Sequence, residues 1–295
     1  MKDPLFIDKN VNILTGKEAE DALNRENDQK YITKESGIVC VTQERWNNAQ
    51  EAELNHWMVK GIKAKNDRND KHYFGFDGYR VLRGKTFNTA IELGCGPFTN
   101  MRFIGFVCNI NKCALLDPLA DKYLNHAYCS YNDKYLFLQD FFGHSLRSNV
   151  FNRLKNKFPG IMKKFDFGKK ISLSNLITEP IENMPTGQIY DLVVIINVIE
   201  HCFDINKVFD KILSITTDGG YFVFHDKFYE HESVVETIKT RYDTAHPLKV
   251  DKNVLNSFFE QYFEELYKCV KREHFLNLLN KKDVLDTLYY IGKRK

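Results

Sequence analysis

The stretch Ile91-Glu92-Leu93-Gly94-Cys95-Gly96-Pro97-Phe98-Thr99-Asn100 constrains this chain more than any other. A buried-strand run meets two glycines one residue apart, and a helix is predicted to follow. Glycine adopts the left-handed backbone of a tight turn without a Cβ clash, and it lets another group come close to the chain. Strand, glycine turn and helix open a parallel α/β sheet, whose ligands lie beyond the carboxyl ends of the strands.

The remainder of the chain agrees with that opening. Strands are predicted at Thr89 to Leu93, Ala114 to Leu116, Ile171 to Leu176, Asp191 to Asn197 and Tyr221 to His225. The run Leu192-Val193-Val194-Ile195-Ile196 has the unbroken apolar character of a strand covered on both faces. A helix is predicted over Asn206 to Thr216, and Asp218-Gly219-Gly220 reads as a turn into the next strand. Glu264 to Lys271 and Thr287 to Ile291 read as an edge hairpin. The expected fold is α/β: a doubly wound, mostly parallel, Rossmann-like seven-stranded sheet with a C-terminal antiparallel hairpin. The 295 residues suit one large domain with additions. Residues 1–80 are expected to form an N-terminal extension carrying a lid-like helix, and 81–295 the main domain, with a helical insertion at about 120–170. In the extension, Thr42 reads as an N-cap, and Trp46, Gln50, Leu54, Trp57 and Met58 share a helix face.

Composition removes several classes of function. A formal net charge of +3 is too mild to indicate nucleic acid, and none is expected as a partner. Seven cysteines without a C-x-x-C pair indicate a reduced, cytoplasmic protein. MKDPLFIDKN has no apolar signal core, and no apolar run approaches membrane-spanning length, so no transmembrane segment is expected.

Glu92 ends the first strand, where a carboxylate can serve a cationic group above the turn, and Asp117 ends the second, where it can accept both hydroxyls of a ribose. A nicotinamide site would want G-x-G-x-x-G, but Thr99 stands in the third glycine's place. No Gly-Lys-Ser/Thr follows to make a phosphate loop. A nucleoside with a charged amino-acid end, S-adenosylmethionine, satisfies both carboxylates.

Five segments in order then resemble the class I S-adenosylmethionine-dependent methyltransferases over roughly Ala90 to Phe228. They are Glu92 to Pro97, Leu115 to Pro118, Glu182 to Pro185, Tyr190 to His201 and Asp218 to Phe224. The resemblance implies S-adenosylmethionine as cofactor and S-adenosylhomocysteine as product. It implies that Glu92 serves the methionine amino group through the loop or a water, and that Gly94, Cys95, Gly96 and Pro97 lie against the methionine part. Asp117 and Pro118 would hold the ribose, Ile181 and Glu182 would edge the adenine, and Asn197 would sit beneath the methionine carboxyl end. Phe98 departs from the family, where a small residue is common.

Methyl transfer needs its two reactants held in line, and a hydroxyl acceptor profits from a general base. His201, directly after the fourth strand, is the candidate base, with Asp204 to orient it; bracing the loop is the alternative. His225-Asp226 is a second acid/base candidate, or a pair that caps a turn, and Trp57 and His246 are candidates for holding the acceptor. Relatives with E-x-x-E-H here bind a divalent metal; this chain has Asn197 in the first position, which weakens such a site on Glu200, His201 and His225, and no metal is expected. Glu44 to Glu53, with Trp57, resembles the N-terminal helix of methyltransferases of bacterial surface-glycan synthesis. That implies a sugar hydroxyl on a nucleotide-linked or lipid-linked glycan, with the basic insertion meeting its phosphates. Another small molecule such as an amino sugar, an RNA- or protein-modifying role, and a non-catalytic cofactor binder stay open as alternatives, as does a homo-oligomer.

Overall fold

The computed structural model describes residues 5–7, 13–15, 37–64, 76–138, 170–230, 233–234, 244–276 and 282–295. The basic run from Arg153 to Lys169 lies outside them; Lys170 opens a strand.

The core is one eight-stranded sheet. In chain order its strands are β1 (Thr86–Leu93), β2 (Asn109–Leu116), β3 (Tyr135–Phe137), β4 (Lys170–Ile177), β5 (Tyr190–Ile196), β6 (Thr216–Lys227), β7 (Phe263–Leu276) and β8 (Lys282–Arg294). Their order across the sheet is β7-β8-β6-β5-β1-β2-β4-β3. The strands β4, β2, β1, β5 and β6 run parallel, whereas β8, β7 and β3 pair antiparallel. The order reverses on either side of β1, and open α/β sheets take their ligands at the carboxyl ends of the strands at such a switch.

The alternation along β5 shows why this sequence makes a covered sheet. Val193 and Ile195 enter one apolar cluster, and Leu192, Val194 and Ile196 enter the other. Helices α3 (Ile205–Ile215) and α4 (Lys252–Tyr262) cover the first face through Val208, Phe209, Ile212, Val254, Phe258 and Phe259. Helix α2 (Met101–Val107) covers the second through Met101 and Ile104. Helix α1 (Gln43–Asn55) starts where Thr42 Oγ1 accepts from the Arg45 N–H, and it runs into a wide turn, His56–Lys60. The strand preceding it is short: Gly37–Ile38 pairs with Lys249–Val250. Ile38, Val39, Cys40 and Val41 then join the main core.

Three sequence expectations are corrected. The sheet has eight strands, because Tyr135–Phe137 adds an antiparallel edge. The second strand is longer than Ala114 to Leu116: it already begins at Asn109, two residues after α2 ends at Val107. Asp218-Gly219-Gly220 is a bulge inside β6: Tyr190 pairs with Thr216 and Leu192 with Tyr221, so the extra residues loop out, and Gly219 takes φ 72°.

Candidate active site

The glycine turn lies at the carboxyl end of β1. Gly94 and Gly96 have φ of 72° and 52°. The Gly94 and Cys95 N–H groups donate to the Leu116 carbonyl at 2.7 and 3.0 Å, which ties the turn to the end of β2. A Cβ on Gly94 would stand 2.4 Å from Val198 Cγ2, in the turn after β5, whereas one on Gly96 would meet nothing within 4 Å. Gly94 is therefore a packing glycine, and Gly96 borders open space.

Glu92 lies wholly beneath this turn. Its carboxylate accepts from Thr99 Oγ1, from the Asn100 N–H (3.0 Å) and Nδ2 (2.7 Å), and from the Met101 N–H (3.2 Å). It thereby caps α2 from a neighbouring strand, with a negative charge at the positive end of the helix. Burial pushes its pKa up, and these donors oppose that. Any service Glu92 gives a ligand runs through the loop it holds. Cys95 donates its thiol to Tyr131 at 3.6 Å, and burial with nearby Asp117 pushes that thiol far up, which makes it inert. Tyr131 donates to the Gly96 carbonyl at 2.9 Å, and Ser130 accepts from the Thr99 N–H at 2.9 Å and donates to the carbonyl of buried Pro97 at 3.2 Å.

Asp117 closes β2, followed by half-buried Pro118. Its two oxygens accept from Gly96 N–H and Leu119 N–H, each at 2.9 Å. Burial lifts its pKa to about 6 against those two bonds. After β4, Ile181 and Glu182 sit in a buried single turn. Glu182 faces inward, where its Oε1 accepts from Phe203 N–H (2.6 Å) and Asp204 N–H (3.1 Å). Its contact with an adenine edge would therefore be made by its backbone. Burial raises the Glu182 pKa from 4.5 to about 7. The folded state thus binds a proton that the unfolded state has released, and stability falls as pH rises from about 4.5 to about 7. Glu182→Gln keeps an accepting oxygen and removes the titration. Its melting temperature should gain on the wild type steadily across that window, by the equivalent of a few kcal/mol at most; parallel melting curves at every pH would refute this.

Beyond β5, Asn197 is exposed at the sheet edge with φ 59°, and its N–H donates to the His225 carbonyl at 2.7 Å. The next residues are held from β6: Asp226 Oδ2 accepts from Val198 N–H and Ile199 N–H at 2.9 and 2.8 Å. His225, its neighbour on the strand, faces the other way, since successive strand side chains alternate. Its Nδ1 bonds the Leu288 carbonyl at 3.0 Å, its ring packs on Tyr289, and burial depresses its pKa to about 3. His225 is thus a core histidine held on the Leu288 carbonyl and Asp226 a backbone anchor, and they face away from each other rather than forming an acid/base pair.

His201 ends a single turn, Ile199–His201. Asp204 does not orient it: that carboxylate caps α3, accepting from Asn206 and Lys207 N–H. The Ala245 carbonyl does, at 3.0 Å from His201 Nδ1. A carbonyl only accepts, so Nδ1 carries the proton and Nε2 of the neutral ring has the lone pair. The His246 ring lies 4.6 Å from that of His201, so two of the predicted acceptor-side groups meet. Glu200 is buried with Lys227 Nζ, Lys249 Nζ (2.6 Å) and Tyr229 OH (2.6 Å) on its carboxylate. Burial alone would raise its pKa; the two lysines, with His246, outweigh it and hold the carboxyl well below the usual range. A carboxylate so engaged has little left for a cation, and the described residues contain no group of three or more His, Cys, Asp or Glu placed to hold a metal.

Helix α1 crosses this edge. Trp46 Nε1 and Gln50 Nε2 donate to the His201 carbonyl at 2.9 and 3.3 Å. At the far end, Trp57 packs edge-on to Phe98 at 5.7 Å, Phe98 on His126 at 5.2 Å, and His126 Nε2 bonds the Gly61 carbonyl at 3.0 Å. Phe98, the family's departure, is thus the seat on the glycine turn for the turn that follows α1. Sequence reasoning missed Thr99, Asn100, Ser130, Tyr131 and Ala245. Only the Thr-Asn pair had a signal, as residues that favour helix starts.

The fold is that of the class I S-adenosylmethionine-dependent methyltransferases. A methyltransferase of that kind from Leishmania major is similar over 99% of this chain and 97% of its own, with a TM-score of 0.52 and 12% identity. The N-methyltransferase NodS from Bradyrhizobium japonicum, in complex with S-adenosylhomocysteine, matches over 85% of this chain and 98% of its own, with a TM-score of 0.47 and 12% identity. No protein-family model and no curated protein matches the sequence.

Proposed function

We propose that this chain is an S-adenosylmethionine-dependent methyltransferase that methylates a sugar hydroxyl of a nucleotide-linked or lipid-linked glycan. The observation that carries the donor is the pairing of Gly96 with Asp117. A left-handed glycine beside open space is held by a carboxylate that ends the adjacent strand, at the switch in strand order. Those residues fit the donor: Gly96 leaves room for the methionine part, and each Asp117 oxygen retains a lone pair for a ribose hydroxyl. The donor supplies a methyl group already activated on sulfonium.

The chain's own part is to position the acceptor and take its proton. His201, held on Ala245, presents Nε2 as the acceptor of the hydroxyl proton. It follows β5, the strand beside β1, at the same carboxyl edge of the sheet that carries Asp117 after β2. Helix α1, bonded to the His201 carbonyl and seated on Phe98 through Trp57, is the lid of the crevice. The sugar itself rests on the resemblance of the segment from Glu44 to Trp57 to glycan-pathway enzymes.

Calorimetry with S-adenosylhomocysteine tests the donor; no heat at millimolar ligand would end the proposal. A transfer screen with labelled donor against nucleotide sugars and short glycans tests the acceptor; label appearing only in amines would move the reading to N-methylation. His201→Asn retains an N–H for the Ala245 carbonyl but is no base. It should keep donor affinity and lower turnover by roughly 100-fold or more, and unchanged turnover would remove His201 from the role.

A further inference from the structure

The base assigned to His201 depends on a carbonyl in a different segment, and something must hold that segment in place. Residues 244–250 form a strap across the turn after β5. Arg45 Nη1 donates to the Thr244 carbonyl at 2.7 Å, the Leu248 N–H donates to the Glu200 carbonyl at 3.2 Å, and Lys249–Val250 pairs with Gly37–Ile38. Between these ties, Lys249 Nζ donates to the His246 carbonyl at 3.0 Å and to Glu200 Oε1 at 2.6 Å. One ammonium therefore joins the residue after Ala245 to the residue before His201. It bridges the two segments that the His201–Ala245 bond also spans.

A buried lysine and a buried glutamate seldom gain net stability from each other, because their desolvation offsets their attraction. Lys249 is 3% exposed and the Glu200 side chain 5%. What such a pair can supply is a fixed arrangement. We propose that Lys249, through Glu200, is a positioning residue for methyl transfer: it staples the strap to the turn so that His201 is kept as the Nδ1-protonated tautomer. Lys227 and Tyr229 stay on Glu200 if Lys249 is removed, so the carboxylate is not stranded. The inference rests on His201 being the base, but its structural half can be tested without an acceptor.

The experiment is ¹⁵N NMR of the histidine rings in the full chain at a pH where they are neutral, with His201 assigned by its loss in His201→Asn. The wild type should show a single tautomer protonated at Nδ1. Lys249→Met should keep its S-adenosylhomocysteine affinity within about twofold and show averaged ring shifts for His201. Lys249→Arg should restore the single tautomer. With an acceptor in hand, Lys249→Met should lose roughly 100-fold in kcat with KM little changed. If Lys249→Met does not fold, the double variant Glu200→Gln/Lys249→Met removes both members of the buried pair, leaves the 18% exposed Lys227 on the amide oxygen, and should show the same averaging. A wild-type ring protonated at Nε2, or a Lys249→Met ring identical to the wild type, overturns the proposal. Failure of S-adenosylhomocysteine to bind the wild type would instead overturn the donor reading and leave the tautomer result standing.

Discussion

Gly94→Ala is expected to destabilise the protein by about 3 kcal/mol, while Gly96→Ala costs it far less stability and strikes donor binding. Both positions carry the cost of an L-residue at positive φ, about 1–2 kcal/mol. They differ in what a Cβ would meet. At Gly94 it would overlap Val198, with Cγ2 at 2.4 Å and Cγ1 at 2.5 Å, and neither segment can give easily. The glycine turn is held by the Leu116 carbonyl, and Val198 is held by Asp226. At Gly96 the added methyl enters the open space assigned to the methionine part. A urea-unfolding cycle with Gly94→Ala, Val198→Ala and the double variant measures the contact, and a favourable coupling of about 1–2 kcal/mol in the double variant is expected. Strict additivity would mean that the turns after β1 and β5 do not touch as they do here.

That contact is the kind of fact the sequence does not display. The strands were legible wherever burial on both faces leaves an unbroken apolar run, as in β5, or a glycine turn ends one, as in β1. Asp218-Gly219-Gly220 has the residues of a turn and of a bulge alike, and only the pairing of β6 with β5 separates the two. Tyr135–Phe137 has three residues and so no period to read. In the site, the positions of Gly94 and Gly96 were legible from the turn itself, and that of Asp117 from the end of the second strand. The orientation of His201 was not: sequence proximity pointed to Asp204, but the partner is a backbone carbonyl 44 residues away, and a backbone acceptor has no side-chain signature. For His225 and Asp226, adjacency in the sequence suggests either an acid/base pair or a turn cap. Once β6 extends to Lys227, adjacency places them on opposite faces.

Asp117→Asn should weaken S-adenosylhomocysteine binding by roughly 100- to 1000-fold, because a ribose loses two charge-assisted hydrogen bonds of about 1.5–3 kcal/mol each. The loss should exceed any change in stability. The asparagine oxygen still accepts from one of the two N–H groups that Asp117 holds, and the other, from Gly96 or Leu119, is left facing an amide NH₂. That mismatch costs about 1–3 kcal/mol of folding free energy, enough to lower the melting temperature without preventing folding. The pH dependence separates the two roles. Burial raises the Asp117 pKa to about 6, so in the free protein the carboxylate takes up a proton as pH falls through that value. Folding and binding then have opposite signs. Free-state stability falls as pH rises from about 3.8 to about 6, since the folded form holds the proton longer. Donor affinity rises over the upper part of the same range, since the ionised form is the one that accepts from both ribose hydroxyls. Wild-type affinity measured between about pH 5 and pH 8 should therefore decline toward tenfold per pH unit below about 6, and the Asp117→Asn profile should lack that step. A variant that binds like the wild type, or a wild-type profile with no step near pH 6, would take the ribose away from Asp117 and leave it only the work of holding Gly96 and Leu119.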